Sequence, residues 1–366
     1  MAKVKKITLI GPVVPYRGGI AQYTTELHKA FKRDNNIKIQ AISFKRLYPS
    51  WIYPGEGDKE ESISNLSDVE YLIDTYNPLS LLAAIKKIPE DTDLVIINWW
   101  TLFWQPGMAV LSIGLKRKGI RTVFLCHNLF DHSSKGIKTS VPKVLLKTSA
   151  NYIVHSKELQ QQLMGINKDS KVMLRLHPIY NQFPSADVEF EKRGRLEVLF
   201  FGFIRPYKGL DDLLKAVELA GRDDVYLTIS GEVWGDKEDL IKKINSYDIK
   251  NIDLNLKYSD EQSVANMFER ADIVILPYRS ATGSGVVALA YNYGKPVLST
   301  NVGGLKEAII PGRTGWLVPP NSPEDIAKII SVITREETMK MRRSVEKFCE
   351  ENSWDNFAKA IIDKFI

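Results

Sequence analysis

Two cations three positions apart, Arg205 and Lys208, are the side chains of this sequence best suited to hold adjacent phosphates. Arg205 offers a forked guanidinium and Lys208 a compact ammonium. They follow Gly202 and the apolar run 196–201, which has the character of a strand buried on both faces. The order of strand, glycine and paired cations predicts a diphosphate site at the end of that strand.

A second stretch, residues 277–304, could complete the same site. It predicts a strand that ends at Pro277, a loop of small residues and a helix over 286–293. A helix N-terminus presents unpaired backbone N–H groups and the positive end of a dipole, and both favour phosphate. Because such turns occur in parallel α/β domains of every function, a purely structural role is the alternative.

These segments must be positioned by parallel sheets, since strand-like and helix-like segments alternate along the chain. With 366 residues, the chain exceeds the size at which one hydrophobic core keeps growing. We expect an α/β protein of two domains, 1–185 and 186–350, with an amphipathic C-terminal helix over 351–366 that packs on the first domain. The first glycine loop has neither dinucleotide-fold nor P-loop spacing, which disfavours NAD and P-loop ATP chemistry.

The charge of the chain is unevenly distributed. Residues 1–185 hold 25 Lys and Arg against 15 Asp and Glu, net +10, whereas residues 186–366 hold 25 against 29, net −4. The basic half suggests an anionic partner such as a membrane surface, and a solvated lysine-rich surface is the alternative. No nucleic-acid partner is expected.

The N-terminus and the cysteines bear on location. The chain runs from three lysines straight into a strand, and no apolar run is long enough for a membrane span. Cys126 and Cys349 fit no metal or redox spacing, so we expect free thiols. A cytoplasmic protein is predicted, with the inner face of the cell membrane as a second location.

Large aromatic residues follow the strand-like run 94–98. Three of them, Trp99, Trp100 and Trp104, lie where ligands bind in open α/β sheets, past the carboxyl end of a strand. Asn128 follows the next predicted strand. These four residues are candidates for an acceptor pocket, whereas insertion of the tryptophans into a bilayer interface and plain core packing are the alternatives.

An ordered set of motifs then carries a family resemblance. The chain contains F-G-x-x-R-x-x-K-G, S-G-E, L-P-Y-R-S-A-T-x-S-G-V, G-K-P-V, N-V-G-G-L-x-E and G-x-T-G-x-L-V-P-P, with P-Y-R-G-G-I-A-Q-Y near the N-terminus. Together they resemble the nucleotide-sugar glycosyltransferases of family 4. The resemblance covers nearly the whole chain and implies the GT-B fold, in which two Rossmann-like domains face each other across a cleft.

The resemblance also implies roles for individual residues. His127 would face the transferred sugar, while Arg205 and Lys208 would bind the donor diphosphate. The other implied donor contacts are Gly18, Gly19, Gly202, Glu232, Thr282, Gly283, Ser284 and the backbone N–H groups of Gly285, Val286 and Val287. No metal or cofactor is implied, and the single D-x-D, Asp91 to Asp93, is interpreted as a turn.

One departure from the family pattern concerns its E-x7-E motif. The positions of the two glutamates are occupied here by Ala281 and Leu289, and no Glu lies between Arg279 and Lys306. The ribose and the sugar must then be held by other groups, such as Thr282, Ser284 or the backbone.

The sequence therefore predicts a glycosyltransferase that moves a hexose from a UDP- or GDP-sugar to a saccharide or lipid-linked acceptor. The resemblance implies retention of configuration without a metal. The alternatives are a GT-B sugar-nucleotide epimerase, which needs carboxylates for proton transfer, and a non-catalytic binding partner.

Overall fold

A computed structural model of the chain describes residues 4–49, 58–60, 64–130, 137–179, 183–281 and 283–366. It divides into two compact units, residues 1–175 with 354–366, and residues 176–353. The change of unit falls earlier than position 185, because the segment after Arg175 already bonds within the second unit. There the Ile179 N–H donates to the Asn352 carbonyl at 3.0 Å.

The first unit is built on a seven-stranded parallel sheet of strand order β3-β2-β1-β4-β5-β6-β7. Its elements are β1 (Lys5–Ile10), α1 (Gly19–Arg33), β2 (Ile37–Arg46), β3 (Val69–Asp74), α2 (Leu79–Lys87), β4 (Leu94–Trp99), α3 (Gln105–Arg117), β5 (Thr122–Cys126), α4 (Ile137–Leu146), β6 (Asn151–Val154), α5 (Lys157–Ile166), β7 (Lys171–Leu174) and the C-terminal α13 (Trp354–Phe365).

The second unit repeats this plan with six parallel strands in the order β10-β9-β8-β11-β12-β13. Its elements are β8 (Leu196–Phe201), a 3₁₀ turn (Pro206–Lys208), α6 (Leu210–Ala220), β9 (Val225–Ser230), α7 (Lys237–Ile244), β10 (Ile252–Asn255), α8 (Glu261–Arg270), β11 (Ile273–Leu276), α9 (Gly285–Asn292), β12 (Val297–Thr300), α10 (Leu305–Ala308), β13 (Gly315–Val318), α11 (Pro323–Val332) and α12 (Arg335–Glu351). The expected pair of Rossmann-like α/β domains is confirmed.

Strand burial explains why the central strands could be predicted from the sequence. Every residue of β4 and β5 is buried, as is every residue of β11 and β12. Strands covered by helices on both faces favour continuous apolar runs. Two elements lack that signal: β3 mixes polar and apolar residues, and α12 is a mostly exposed helix that begins with a Thr334–Glu337 capping box.

The strand order fixes where each unit can bind a ligand. In each sheet the order reverses between two adjacent strands, β1 and β4 in the first and β8 and β11 in the second. Loops after these strands leave in opposite directions, which opens a crevice at the carboxyl edge. The residues after Phe201 and after Leu276 therefore meet at the switch point of the second sheet.

The C-terminal helix α13 packs on α1 within the first unit. Tyr23 of α1 contacts Trp354 edge to face, with ring centroids 4.8 Å apart. The Arg33 guanidinium pairs with Asp355 at 2.5 Å, and Arg121 donates to the Phe365 carbonyl. Of the helices in the described ranges, none combines the length and the apolar character that a bilayer span requires.

Candidate functional site

The loop after β8 carries Arg205 and Lys208 on either side of one short 3₁₀ turn. The Lys208 N–H donates to the Arg205 carbonyl at 2.9 Å, so a backbone hydrogen bond sets their spacing. Gly209 ends the turn at φ +69°, and a Cβ there would overlap the Pro277 carbonyl oxygen. Only glycine lets the turn approach the end of β11 this closely, which fixes both cations beside the neighbouring strand.

The Lys208 ammonium lies against Tyr278. Its Nζ donates to the tyrosine hydroxyl at 2.6 Å and lies 4.0 Å from the ring centroid. Burial is the main cause that lowers the pKa of Lys208 to about 8, while Tyr207 opposes this shift and Arg205 adds to it. Within the described residues no carboxylate pairs with Lys208, so a bound anion would stabilise its charged form.

The Arg205 guanidinium packs on the ring of Trp234, and Phe203 lies beside that ring. The guanidinium lies 3.6 Å from the centroid of the Trp234 ring and 5.9 Å from that of Phe203. The Arg205 Nε and the Trp234 Nε1 are buried without a hydrogen-bond partner among the described atoms. Stacking leaves the edge of the guanidinium, where its N–H groups point, available for an acceptor such as a phosphate oxygen.

The loop after β9 supports this arrangement through its backbone. The Ile204 N–H donates to the Glu232 carbonyl at 2.9 Å, and the Trp234 N–H donates to the Ile204 carbonyl at 3.1 Å. These bonds continue the pairing of β8 and β9 past the sheet edge and place Trp234 on Arg205. The Glu232 side chain is partly exposed beside them.

Helix α9 begins at the same edge of the sheet. Ser284 caps it, because its Oγ accepts the Val286 N–H at 3.2 Å, and its carbonyl accepts the Val287 N–H at 3.2 Å. Two of the three predicted phosphate donors therefore already have partners within the chain, and Gly285 stands at the first helical position. Their contacts to a diphosphate stay a prediction. Gly283 is exposed, and Thr282 lies outside the described residues.

Tyr278 connects the loop that carries Arg205 and Lys208 to this helix. Its hydroxyl lies 3.4 Å from the Ser284 Oγ, so one tyrosine bridges the Lys208 ammonium and the cap of α9. A Cβ added at Gly202 would lie 3.9 Å from the Lys208 Nζ and 3.5 Å from the Val286 side chain. Gly202, Lys208 and the start of α9 are thus brought together, and their binding of a diphosphate stays a prediction.

A third cation at this edge, Arg279, is already paired. Its guanidinium contacts both carboxylate oxygens of Asp212 at 3.0 and 3.1 Å, and the pKa of Arg279 is raised mainly by this hydrogen bonding. The pair joins the end of β11 to the first turn of α6. Arg279 is therefore a structural residue, which distinguishes it from Arg205 and Lys208.

In the first unit, His127 follows β5 at the equivalent edge. Its Nε2 lies 2.8 Å from the Asn98 Oδ1, and the Asn98 Nδ2 donates to the Ile10 carbonyl at 3.2 Å. Since Asn98 is fully buried and its amide orientation is set by Ile10, His127 must donate from Nε2. The imidazole is also held edge to face against Tyr23, with ring centroids 4.8 Å apart.

The glycine loop before α1 lies at the same edge of this sheet. Gly18 caps the helix with φ +100°, a conformation that side chains with a Cβ rarely adopt, and Gly19 is exposed. Nothing lies within 4 Å of the position of a Cβ on Gly18. The glycine therefore serves the backbone conformation of the loop, and a phosphate or sugar contact stays a prediction.

The structure places the three tryptophans of the proposed acceptor pocket in the hydrophobic core. Trp99, Trp100 and Trp104 are 0, 6 and 7% exposed, whereas Phe103 is 40% exposed. The Trp100 indole donates to the Tyr48 hydroxyl at 2.9 Å, and the Trp104 indole donates to the Leu47 carbonyl at 2.8 Å. This is the packing alternative of the sequence analysis, and a direct acceptor role for these residues stays a prediction. Asn128 is half-buried, and its Oδ1 has no hydrogen-bond partner in the described part.

The D-x-D segment lies at the opposite edge of the first sheet, beside the start of β1. The Asp93 Oδ2 accepts the Lys6 N–H at 2.8 Å, and Asp91 pairs with the Lys6 ammonium. Both aspartates thus serve the start of β1. In the ranges that the structure describes, no cluster of three or more His, Cys, Asp or Glu could hold a metal ion.

Sequence reasoning missed three residues that contact the candidate residues: Trp234 and Tyr278 in the second unit, and Asn98 in the first. Each left a weak signal. Trp234 is an aromatic residue in a glycine-rich turn, Tyr278 directly follows a strand, and Asn98 is a polar residue in an otherwise apolar one. Their roles depend on contacts between loops far apart in sequence, which a linear pattern does not display.

Comparisons with known proteins agree with this architecture. Residues 185–352 match the family model Glycosyl transferases group 1. An uncharacterised glycosyltransferase of Methanocaldococcus jannaschii is 26% identical over 96% of this chain and 95% of its own length. A D-inositol 3-phosphate glycosyltransferase of Pseudarthrobacter chlorophenolicus is 32% identical over 47% of this chain and 43% of its own length.

Among solved structures, Anabaena HepE in complex with UDP-glucose is similar in fold. Its TM-score is 0.72 at 14% identity, with 98% of both chains covered. The resemblance to GT-B glycosyltransferases is confirmed at this level, whereas the assignment to family 4 and the meaning of the absent glutamates stay predictions. Residues 185–352 thus resemble the group 1 glycosyltransferases, and the two Rossmann-like units of the chain have the GT-B fold.

Proposed function

We propose that this chain transfers a hexose from a UDP- or GDP-sugar to a saccharide or lipid-linked acceptor, with retention and without a metal. The observation that carries the proposal is the pair Arg205 and Lys208. Both are held rigidly at the switch point of the second sheet, and neither is neutralised by a carboxylate in the described residues. The UDP-glucose held by the structurally similar Anabaena protein supports a nucleotide-sugar donor.

The two cations would act on the leaving group. As the bond between the anomeric carbon and the phosphate oxygen breaks, negative charge grows on the diphosphate and the sugar becomes oxocarbenium-like. Preorganised positive groups stabilise this charge more in the transition state than in the ground state. In a retaining reaction without a metal, the departing phosphate oxygen would take the proton of the acceptor hydroxyl. His127 is proposed to contact the sugar, and its tautomer is set by Asn98.

The decisive experiment removes the cations one at a time. Arg205→Ala and Lys208→Ala should each lower kcat/KM by about a hundredfold or more, the usual effect of losing one preorganised donor. Lys242→Ala, which removes an exposed lysine of α7, is the matched control and should leave the rate unchanged. Undiminished transfer by the double variant would refute the proposal.

The same assay separates the alternatives. An epimerase would convert the nucleotide sugar without an added acceptor. A non-catalytic partner would bind nucleoside diphosphates but show no turnover with any nucleotide sugar. The proposed location is the cytoplasm, with the anionic inner face of the cell membrane as a docking surface for the basic first unit.

A further inference from the structure

Three helices of the first unit, α2, α3 and α4, form one continuous outer layer. Their connections run from β3 to β4, from β4 to β5 and from β5 to β6, so all three step in the same direction along the sheet. Right-handed crossovers of this kind put their helices on one face. In agreement, α2 contacts α3 and α3 contacts α4, whereas α1 contacts α13.

Each helix exposes a pair of aliphatic side chains at the same spacing. The six residues of this aliphatic band are 40 to 68% exposed, and they are Leu79 and Leu82 on α2, Val110 and Ile113 on α3, and Val141 and Val144 on α4. A spacing of three residues places both members of a pair on one side of a helix. The opposite sides are buried in the core through residues such as Ala84, Leu111 and Leu146.

A cation follows each aliphatic pair. Lys86 and Arg117 come four residues after the second aliphatic residue and are exposed, so they extend the same outer stripe. Lys147 is exposed directly after the end of α4. The three helices contain six Lys or Arg residues and no Asp or Glu. None of these three cations pairs with a carboxylate in the described part of the chain, whereas Lys87 pairs with Glu70 at 3.1 Å.

Helix α4 contributes to this layer through residues 141–144. The helix begins at Ile137, and Pro142 lies inside it. Pro142 is buried, while Val141, Lys143 and Val144 are exposed. The side of α4 opposite Pro142 and Leu146 therefore presents two valines and a lysine outward.

We infer that the aliphatic band and its basic border dock this protein on an anionic lipid bilayer. Aliphatic side chains at this spacing can enter the headgroup region, while lysine and arginine remain with the lipid phosphates. Self-association through this face would bring positive charge against positive charge. A protein-binding patch would favour aromatic anchors at its centre, and the band has none. The inference rests on the membrane docking named with the proposed function and assigns it to these residues. It does not depend on the transfer reaction, because vesicle binding requires no turnover.

The test is co-sedimentation of the full chain with vesicles. Vesicles of equal parts phosphatidylcholine and phosphatidylglycerol should bind it and vesicles of phosphatidylcholine alone should not, with binding weakened by salt. Lys86→Gln combined with Arg117→Gln should lower the partition coefficient about tenfold or more, since each cation near the surface contributes. Leu82→Ser combined with Val144→Ser should also lower it severalfold, because these exposed aliphatic groups would no longer enter the bilayer.

The matched controls carry the same chemical changes on the second unit. Val332→Ser and Lys340→Gln alter an exposed aliphatic residue of α11 and an exposed lysine of α12, and neither should change vesicle binding. Equal binding to neutral vesicles, or wild-type binding by both double variants, would overturn the inference. So would a dimer in light scattering that these variants dissociate, since the face would then be a protein interface. Nucleoside diphosphate affinity, measured in solution, should be the same in every variant, which separates this outcome from failure of the proposed function.

Discussion

The guanidinium of Arg205 lies 3.6 Å from the centroid of the Trp234 ring. The two residues are brought together because the loop after β9 bonds to the loop after β8 through Ile204. An arginine held flat on an indole loses little further freedom when it binds an anion. We therefore propose that Trp234 positions Arg205 for the donor diphosphate.

Trp234→Leu should weaken nucleoside diphosphate binding about 5- to 30-fold, the range expected for loss of a partly desolvated cation–π contact. Trp234→Phe keeps an aromatic face and should recover most of the affinity. Titration calorimetry with UDP and GDP measures both. A leucine variant that stays folded and binds as tightly as the wild type would show that the stack does not position Arg205.

Lys208 should make donor binding depend on pH. Burial lowers the pKa of Lys208 to about 8. Only the ammonium attracts a diphosphate, so affinity should fall as the pH rises through about 8. Lys208→Arg stays charged over this range and should show a flatter profile, even if its affinity is lower. Parallel profiles for the two proteins in calorimetry would assign the pH dependence to another group.

The lowered pKa of Lys208 should affect the stability of the ligand-free protein in the opposite direction, since stability should rise with pH where donor affinity falls. Between about pH 8 and the ordinary lysine value of 10.5, the unfolded chain holds a proton that folded Lys208 has released. The contribution of Lys208 to the free energy of unfolding therefore rises with pH across that window. Below pH 8 the folded protein carries the full cost of the buried charge.

The C-terminal helix should be required for the stability of the first unit. Trp354 is 1% exposed and packs on Tyr23, so Trp354→Ala should lower the free energy of unfolding by about 3–5 kcal/mol. Asp355→Ala removes only an exposed ion pair with Arg33 and should cost about 1 kcal/mol or less. Denaturant unfolding measures both. Equal midpoints for the two variants would mean that α13 does not stabilise the unit.

Local sequence patterns predicted much of the fold. Buried parallel strands need apolar runs and the turns between them need glycine, so β8 has the predicted bounds 196–201. The two cations and the glycines of the site could be predicted for the same reason. A charged or small residue that follows a strand end can be recognised from neighbouring positions in the sequence. The edge strand β3 and the polar helix α12 have no such pattern, because neither is covered on all sides.

By itself, the sequence determined the kinds of groups at the site and the strand ends on which they stand. Only the tertiary structure decided which of them are available. In the structure Arg279 pairs with Asp212, whereas Lys208 contacts Tyr278 and Arg205 packs on Trp234. The tryptophans that were predicted to line an acceptor pocket are buried. These outcomes depend on distances between residues that are remote along the chain. Charge pairing and burial are properties of neighbours in space, and a sequence specifies those neighbours only through the fold.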